Sequence, residues 1–216
     1  MDKSSCPESG LGDRKPEVRE RCCTICYKQK GVSCMSTTDA LYERFKANLE
    51  AVNGECSLAA KADAAKVVAD LFKEKGLKTT CVAETDFLRE LGIVPALKEA
   101  GVEVFTDHIR LHAETAQGGI SEAQYGIADL GSIMQIGDEV DARIVATMSE
   151  DYIGIVKEST IVDDYDAMFD LLCGLPELPN FVGFVTGPSR TADIECVSTV
   201  GVHGPLRLNV VVVQDA

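Results

Sequence analysis

"LRLNVVVVQ", residues 206–214, decides the fold. A strand with one wet face alternates apolar and polar residues, whereas this run is β-branched on both parities. It belongs to a strand buried on both faces, as in parallel sheets covered by helices. Working back from it, "FVGFVTG" (181–187) reads as a strand, "VDDYDAMFDLLCGL" (162–175) as a helix and "DYIGIVKE" (151–158) as a strand. "YGIADLGSIMQIG" (125–137) ends extended, "VEVFTD" (102–107) is a strand, and "DFLRELGIVPALKEAG" (86–101) is a helix interrupted by Pro95. "LKTTCVAE" (77–84) is a short buried strand after an alanine-rich helix over 57–76 that stops at Gly76. The first helix opens at Thr38 or Asp39, places Leu41, Phe45 and Leu49 at four-residue spacing, and stops at Asn53-Gly54. Helix and strand alternate without an internal repeat. The expected fold is an α/β layered sandwich with a largely parallel sheet.

At 216 residues with 45% hydrophobic residues, the chain buries one substantial core. Residues 37–216 are expected to form that domain, and residues 1–36, rich in Gly, Pro, Ser, Cys and charge, to be a flexible or metal-binding extension. The net charge of -14 is unevenly spread. Residues 1–34 carry 7 Lys+Arg against 5 Asp+Glu, leaving 14 against 30 for the rest. An acidic body repels phosphate backbones and anionic lipid, so nucleic acid is not an expected partner. No run reaches the roughly 18 to 20 apolar residues of a membrane span, and "MDKSSCPESG" lacks the apolar centre of a secretory signal. The cytoplasm is the expected compartment, with Cys56, Cys81, Cys173 and Cys196 reduced.

Ligands of open α/β sheets sit beyond the carboxyl ends of the strands. The segment "GPSRTADIECVSTVGVHGP" (187–205) is expected there. Gly187-Pro188 makes a turn, and Ser189 or Thr191 caps a short helix through Ala192, Asp193, Ile194 and Glu195. That helix start and the Arg190 fork would suit a carboxylate or phosphate. The competing reading has Arg190 paired with Asp193 or Glu195 and merely pinning the loop. His203, between glycine and proline on a tight turn, is either a proton-transfer group or a hydrogen-bonded structural residue. A second candidate is "HAETAQGGISEAQYGIADLGS" (112–132), where Gly118-Gly119 and Gly131-Ser132 bracket Glu114, Glu122 and Asp129. One of these acts as base or nucleophile, or all are solvated carboxylates on a flexible loop. His108 and His112 lack the intervening Glu of a helical zinc signature. In "CCTICYKQKGVSC" (22–34), Cys23 and Cys26 have knuckle spacing, Cys34 offers a third ligand, and Cys22 or Cys6 a fourth. Zinc or an iron–sulfur site, thiol redox chemistry and a tail without a site all remain open.

The block Gly187 through Glu195, followed by Gly201-Val202-His203-Gly204-Pro205 and a terminal β-branched strand, resembles the LUD family of the lactate-utilisation protein C type. The resemblance extends more loosely over Thr37 to Gln214. It implies a fold like that of glucosamine-6-phosphate isomerase, ribose-5-phosphate isomerase and the CoA-transferases. It also implies a place in a three-component system oxidising L-lactate to pyruvate, with partner subunits that carry iron–sulfur clusters. The family usually reads close to A-E-T-G-T where this chain has Ala128-Asp129-Leu130-Gly131-Ser132, and "IVATMSEDY" lacks the leucine–proline step that follows the helix.

The leading expectation is thus a subunit that holds a small carboxylate with Gly187, Ser189, Arg190, Thr191 and Asp193. His203, Glu195 and Asp129 are its proton-handling candidates, and Cys22, Cys23, Cys26 and Cys34 its metal ligands. No G-x-G-x-x-G follows a strand, so electrons from an oxidation would pass to a group bound elsewhere. The rivals are a stand-alone isomerase or CoA-transferase using Glu114, Glu122 or Glu195 on a sugar phosphate or acyl-CoA, and a non-catalytic interaction module.

Overall fold

The computed structural model describes residues 37–137, 139–177, 179–192, 198–200 and 203–215. The cysteine-rich extension, with Cys22, Cys23, Cys26 and Cys34, lies outside these residues, as do Asp193 and Glu195. In chain order the elements are α1 (Thr37–Ala51), β1 (Gly54–Ala60), α2 (Ala64–Lys75), β2 (Thr79–Ala83), α3 (Asp86–Leu91), α4 (Ile93–Glu99), β3 (Glu103–Phe105) and α5 (Ile109–His112). There follow β4 (Gly118–Glu122), β5 (Tyr125–Ile127), β6 (Ser132–Ile136), α6 (Val140–Met148), β7 (Asp151–Lys157), a 3₁₀ turn (Glu158–Thr160) and β8 (Ile161–Val162). The chain ends with α7 (Tyr165–Cys173), β9 (Val182–Val185), β10 (Arg190–Ala192), β11 (Ser198–Val200) and β12 (Arg207–Gln214).

The large sheet has the order β1-β12-β7-β4-β2-β3, and every pairing in it is parallel. The valine run is buried from Leu208 to Val213, as a doubly covered strand requires. Its two parities face two cores. Val211 and Val213 pack with Val68, Phe72, Leu88 and Leu97 of α2–α4, and Leu208, Val210 and Val212 pack with Phe45, Leu49 and Val145 of α1 and α6. On the α1 side lies a four-stranded sheet, β8-β5-β6-β9, built from the segments between β4 and β7 and between β7 and β12. α7 covers the outer face of this small sheet through Met168 and Leu172 against Ile127 and Met134.

Several local expectations change. Residues 57–76 are not one helix: Ser57–Ala60 belong to β1, and the helix starts at Ala64. Small side chains there satisfy either geometry, and pairing with the full length of β12 decides for strand. The break in 86–101 falls at Gly92, in the left-handed region, while Pro95 occupies the first turn of α4, where no intrahelical N–H bond is lost. Gly118-Gly119 is no flexible bracket but the start of central strand β4. A Cβ on Gly119 would lie 1.9 Å from Ser149 Oγ, and one on Gly118 2.9 Å from Phe72 Cζ. Bare backbone is needed here because α6 presses on one face and α2 on the other.

Candidate functional site

β2 and β4 are neighbours whose chains leave in opposite directions, from β2 outward to β3 and from β4 inward toward β7. Such a switch point opens a crevice at the carboxyl ends of the two strands. A cavity of about 410 Å³ lies there, lined by Ala83–Asp86 and Arg89 after β2, by Ser121, Glu122 and Gln124 at the end of β4, by Gln135 of β6, and by Arg143 of α6. A second cavity of about 590 Å³ continues along the same edge past Lys157 at the end of β7, and shares Glu122, Gln124 and Ile136 with the first.

Glu122 is the hinge between the two. Its side chain is 14% exposed, and one oxygen accepts the Thr85 hydroxyl at 2.5 Å. Thr85 is held in turn as the N-cap of α3, accepting from Leu88 N at 3.3 Å. The other Glu122 oxygen stands 3.9 Å from Lys157 Nζ, whose ammonium lies 4.4 Å above the Phe87 ring. Arg89 is engaged by Asp86 at 2.5 Å and Glu84 at 3.8 Å. Arg143 lies 5.0 Å above the Phe181 ring and forms the cationic wall on the α6 side. Beneath the floor, the fully buried Tyr152 hydroxyl meets Ser121 Oγ at 2.8 Å and Gln135 Nε2 at 3.0 Å. Burial pushes the Tyr152 phenol far above its ordinary pKa and the Ser121 hydrogen bond pulls it back, so Tyr152 stays neutral at physiological pH. Glu84, Asp86, Glu122 and Glu139 line the first cavity beside Arg89 and Arg143, and Lys157 and Glu177 line the second, so carboxylates able to move a proton and cations able to receive an anion converge on one edge.

Gly187, Ser189 and His203, described residues of the segment expected to fill this crevice, lie elsewhere. β9 starts at the crevice, where Phe181 O accepts from Gly137 N, and runs antiparallel to β6 away from it, with Val182 opposite Ile136 and Val185 opposite Ile133. Thr186 then meets Ser132 at 2.6 Å. Gly187 has φ 68° and lies so close to Val52, just ahead of β1, that a Cβ would stand 2.4 Å from the Val52 carbonyl oxygen. This is the amino-terminal edge of the large sheet. Ser189 follows there, and His203, exposed, precedes the first residues of β12. Arg190 and Thr191 are not at a helix start: with Ala192 they form β10, antiparallel to β11. Gly187, Ser189 and His203 line neither cavity. The row of Gly118, Asp151 and Arg207 is four residues from the row of Glu122, Ile155 and Val211, so the two edges are about 13 Å apart along the strands.

Asp129, half exposed, is taken up by Arg44 at 2.9 Å, and Arg44 also binds Asp163. That clamp ties α1 to the small sheet. Glu114 is exposed in the turn after α5. His108 precedes α5 with φ 49°, and His112 stacks on Phe105 at 3.9 Å. Among the described residues no cluster of three or more His, Cys, Asp or Glu suits a metal ion. Among the described residues, Glu122 is the one acidic candidate of the sequence that the fold delivers to the crevice. Thr85, Gln135, Arg143 and Lys157 were missed, although Thr85 and Lys157 stand where strands legible in the sequence end.

The model of the LUD domain matches residues 42–213, which include both edges of the sheet. The chain belongs to the LUD-domain family. Over 220 residues it is 28% identical to lactate utilization protein C 1 of Bacillus mycoides, covering 95% of this chain and 92% of that protein. It is 34% identical over 134 residues to lactate utilization protein C of Halalkalibacterium halodurans, covering 58% of each chain. A DUF162 family protein from Deinococcus radiodurans superposes with a TM-score of 0.59 at 17% identity, over 83% of this chain and all of that one, and so shares the layered α/β fold of this LUD domain. No helix among the described residues is long and apolar enough to cross a membrane.

Proposed function

We propose that this LUD-domain protein serves lactate utilisation by holding a small 2-hydroxy carboxylate in the crevice at the carboxyl ends of β2 and β4. The observation that carries this site is Glu122, a largely buried carboxylate that lines both cavities and is oriented by Thr85 and Lys157. The likeness over 95% of this chain to lactate utilization protein C 1 of Bacillus mycoides supports this substrate class. In this reading Arg143 on the α6 wall receives the ligand carboxylate, and Glu122 accepts the hydroxyl hydrogen. Oxidation of a hydroxy acid to the oxo acid releases two electrons and two protons: the proposed electron acceptors are iron–sulfur subunits associated with this chain, Glu122 takes the hydroxyl proton and the second proton leaves to solvent. Zinc or an iron–sulfur site at Cys22, Cys23, Cys26 and Cys34 belongs to the same proposal.

The test is calorimetric titration with L-lactate. Glu122→Gln should lower affinity about tenfold or more, because a charge-assisted hydrogen bond is lost, whereas His203→Ala should leave it unchanged. The reverse pattern would return the site to the amino edge. Co-purification of iron–sulfur subunits from lactate-grown cells, with metal analysis of the eluate, tests the partners and the cysteines. A second reading, an enzyme acting on a sugar phosphate or acyl-CoA, is favoured by the size of the cavities, about 410 and 590 Å³, which suit ligands larger than a three-carbon acid. Tighter binding of such a compound than of lactate would select it.

A further inference from the structure

Gln135 of β6 is 5% exposed and lines the first cavity, yet its amide is committed below the floor. Its nitrogen lies 2.5 Å from Ser121 Oγ and 3.0 Å from Tyr152 OH, and the two hydroxyls lie 2.8 Å from each other. Three polar atoms in mutual contact need three hydrogens. With the amino group inward, Gln135 supplies two and one hydroxyl supplies the third. With the carbonyl inward, only the two hydroxyl hydrogens remain for three contacts, and one oxygen pair would face each other bare. The count therefore fixes the amide with its amino group turned in, and the carbonyl oxygen is the atom left for the cavity. That oxygen is not sealed in the core, since the only buried side-chain polar atoms without a partner among the described residues belong to Asn209.

We propose that Gln135 is a specificity-determining residue, whose carbonyl oxygen shares with Glu122 the hydroxyl hydrogen of the ligand and so helps select a hydroxy acid over the corresponding oxo acid. The inference rests on the crevice being a 2-hydroxy acid site. An acceptor fixed at the floor hydrogen-bonds an alcohol but meets a ketone oxygen lone pair to lone pair, and a site built around such a bond rejects the analogue that lacks the hydrogen. Tyr152 does not line the cavity, and the buried Ser121 hydroxyl is taken up by Tyr152 and Gln135. Ser121 and Tyr152 are positioning residues that prevent the amide from flipping, and the full burial of both keeps water from competing for the amino group. In a lactate-oxidising system the consequence is directional: substrate is retained and product is released.

The experiment has two arms on the intact chain. Calorimetry with L-lactate and with pyruvate should give about tenfold tighter binding of lactate. Gln135→Met should reduce the ratio by weakening lactate alone, with Glu122 the remaining acceptor, and Tyr152→Phe, checked for an intact fold by its thermal transition, should reduce it less. In the second arm, nitrogen-15 NMR follows exchange of the Gln135 side-chain amide protons, assigned by their loss in Gln135→Met. They should be protected in the unliganded protein relative to an exposed amide such as Gln214, and exchange faster in Tyr152→Phe. Amide protons as labile as those of Gln214 would overturn the orientation. Equal binding of the two acids would overturn the selectivity while leaving the hydroxy acid site in place. Failure of both acids to bind would overturn the site and the selectivity together.

Discussion

At the amino-terminal edge of the large sheet, Arg207 grips the buried Asp151 through two bonds of 2.6 and 2.5 Å and reaches Glu150 at 3.2 Å. At the carboxyl-terminal edge, Glu122 and Lys157 stand 3.9 Å apart, Gln135 turns one end of its amide toward a cavity, and α3 and α6 flank open space. The first edge is closed around this ion pair, and Gly187 lets the incoming chain press against Val52. The second edge leaves polar groups facing a volume. Glycine, proline, histidine and a conspicuous local motif mark the closed edge, whereas the open edge is assembled from strand ends far apart in sequence. The described residues of the motif rich in site-building residues lie on the path from the small sheet to β12, which sits between β1 and β7.

Breaking the closed edge should have the largest effect. Arg207→Ala leaves the Asp151 carboxylate, 1% exposed, without its cation, at a cost of about 3 kcal/mol or more in folding free energy. Denaturant titration should show this loss, while lactate affinity of the folded protein stays unchanged. A fall in affinity with intact stability would mean that this edge takes part in binding and would erase the contrast.

A pH titration sharpens the comparison from a third place, the seam between α1 and β1. Burial pushes the Cys56 thiol from 9.0 up to about 11, with the Tyr42 hydrogen bond pulling it partly back. Burial raises the Tyr42 phenol as well. A raised acid pKa means that the folded state holds its proton more tightly than the unfolded chain. The stabilisation is complete below pH 9 and is lost as pH rises toward 11, with a slope approaching about 1.4 kcal/mol per pH unit. Replacing the thiol in Cys56→Val should flatten this limb in denaturation measurements, whereas Glu122→Gln should leave it intact. Flattening by the crevice variant would show that the two regions titrate together.

What was legible in the sequence divides along the same line. The valine run, the amphipathic helices and the alternation of elements state the parallel sandwich locally, because burial on two faces or one stripe leaves a periodic trace. β4 left none. Its Gly118-Gly119 start disfavours strand by propensity, and only the pressure of Phe72 and Ser149 from opposite sides explains it. The crevice was hidden for that reason: with β4 unrecognised, Glu122 looked like one of several loop carboxylates instead of the end of the central strand. His203 and Gly187 were conspicuous by composition, but strand direction, which composition does not encode, carried β9 away from the crevice.

Asn209 supplies the smallest prediction and the finest test of the closed edge. It interrupts the valine run three residues into β12, is 2% exposed, and neither its amide nitrogen nor its amide oxygen has a hydrogen-bond partner among the described residues. A buried amide without partners costs about 1–3 kcal/mol, and removing both of its polar atoms recovers part of that. Its neighbours on the flanking strands are Glu55 and Ile153, and its parity is that of Val211, whose side chain packs against the α2–α4 core. Asn209→Val is β-branched, suits the strand, and has one side-chain heavy atom fewer than the amide it replaces, so it should raise the denaturation midpoint by the equivalent of about 1 kcal/mol. If the variant is instead destabilised, the amide has a partner in solution and the run is broken at this position for a reason that a purely structural edge does not supply.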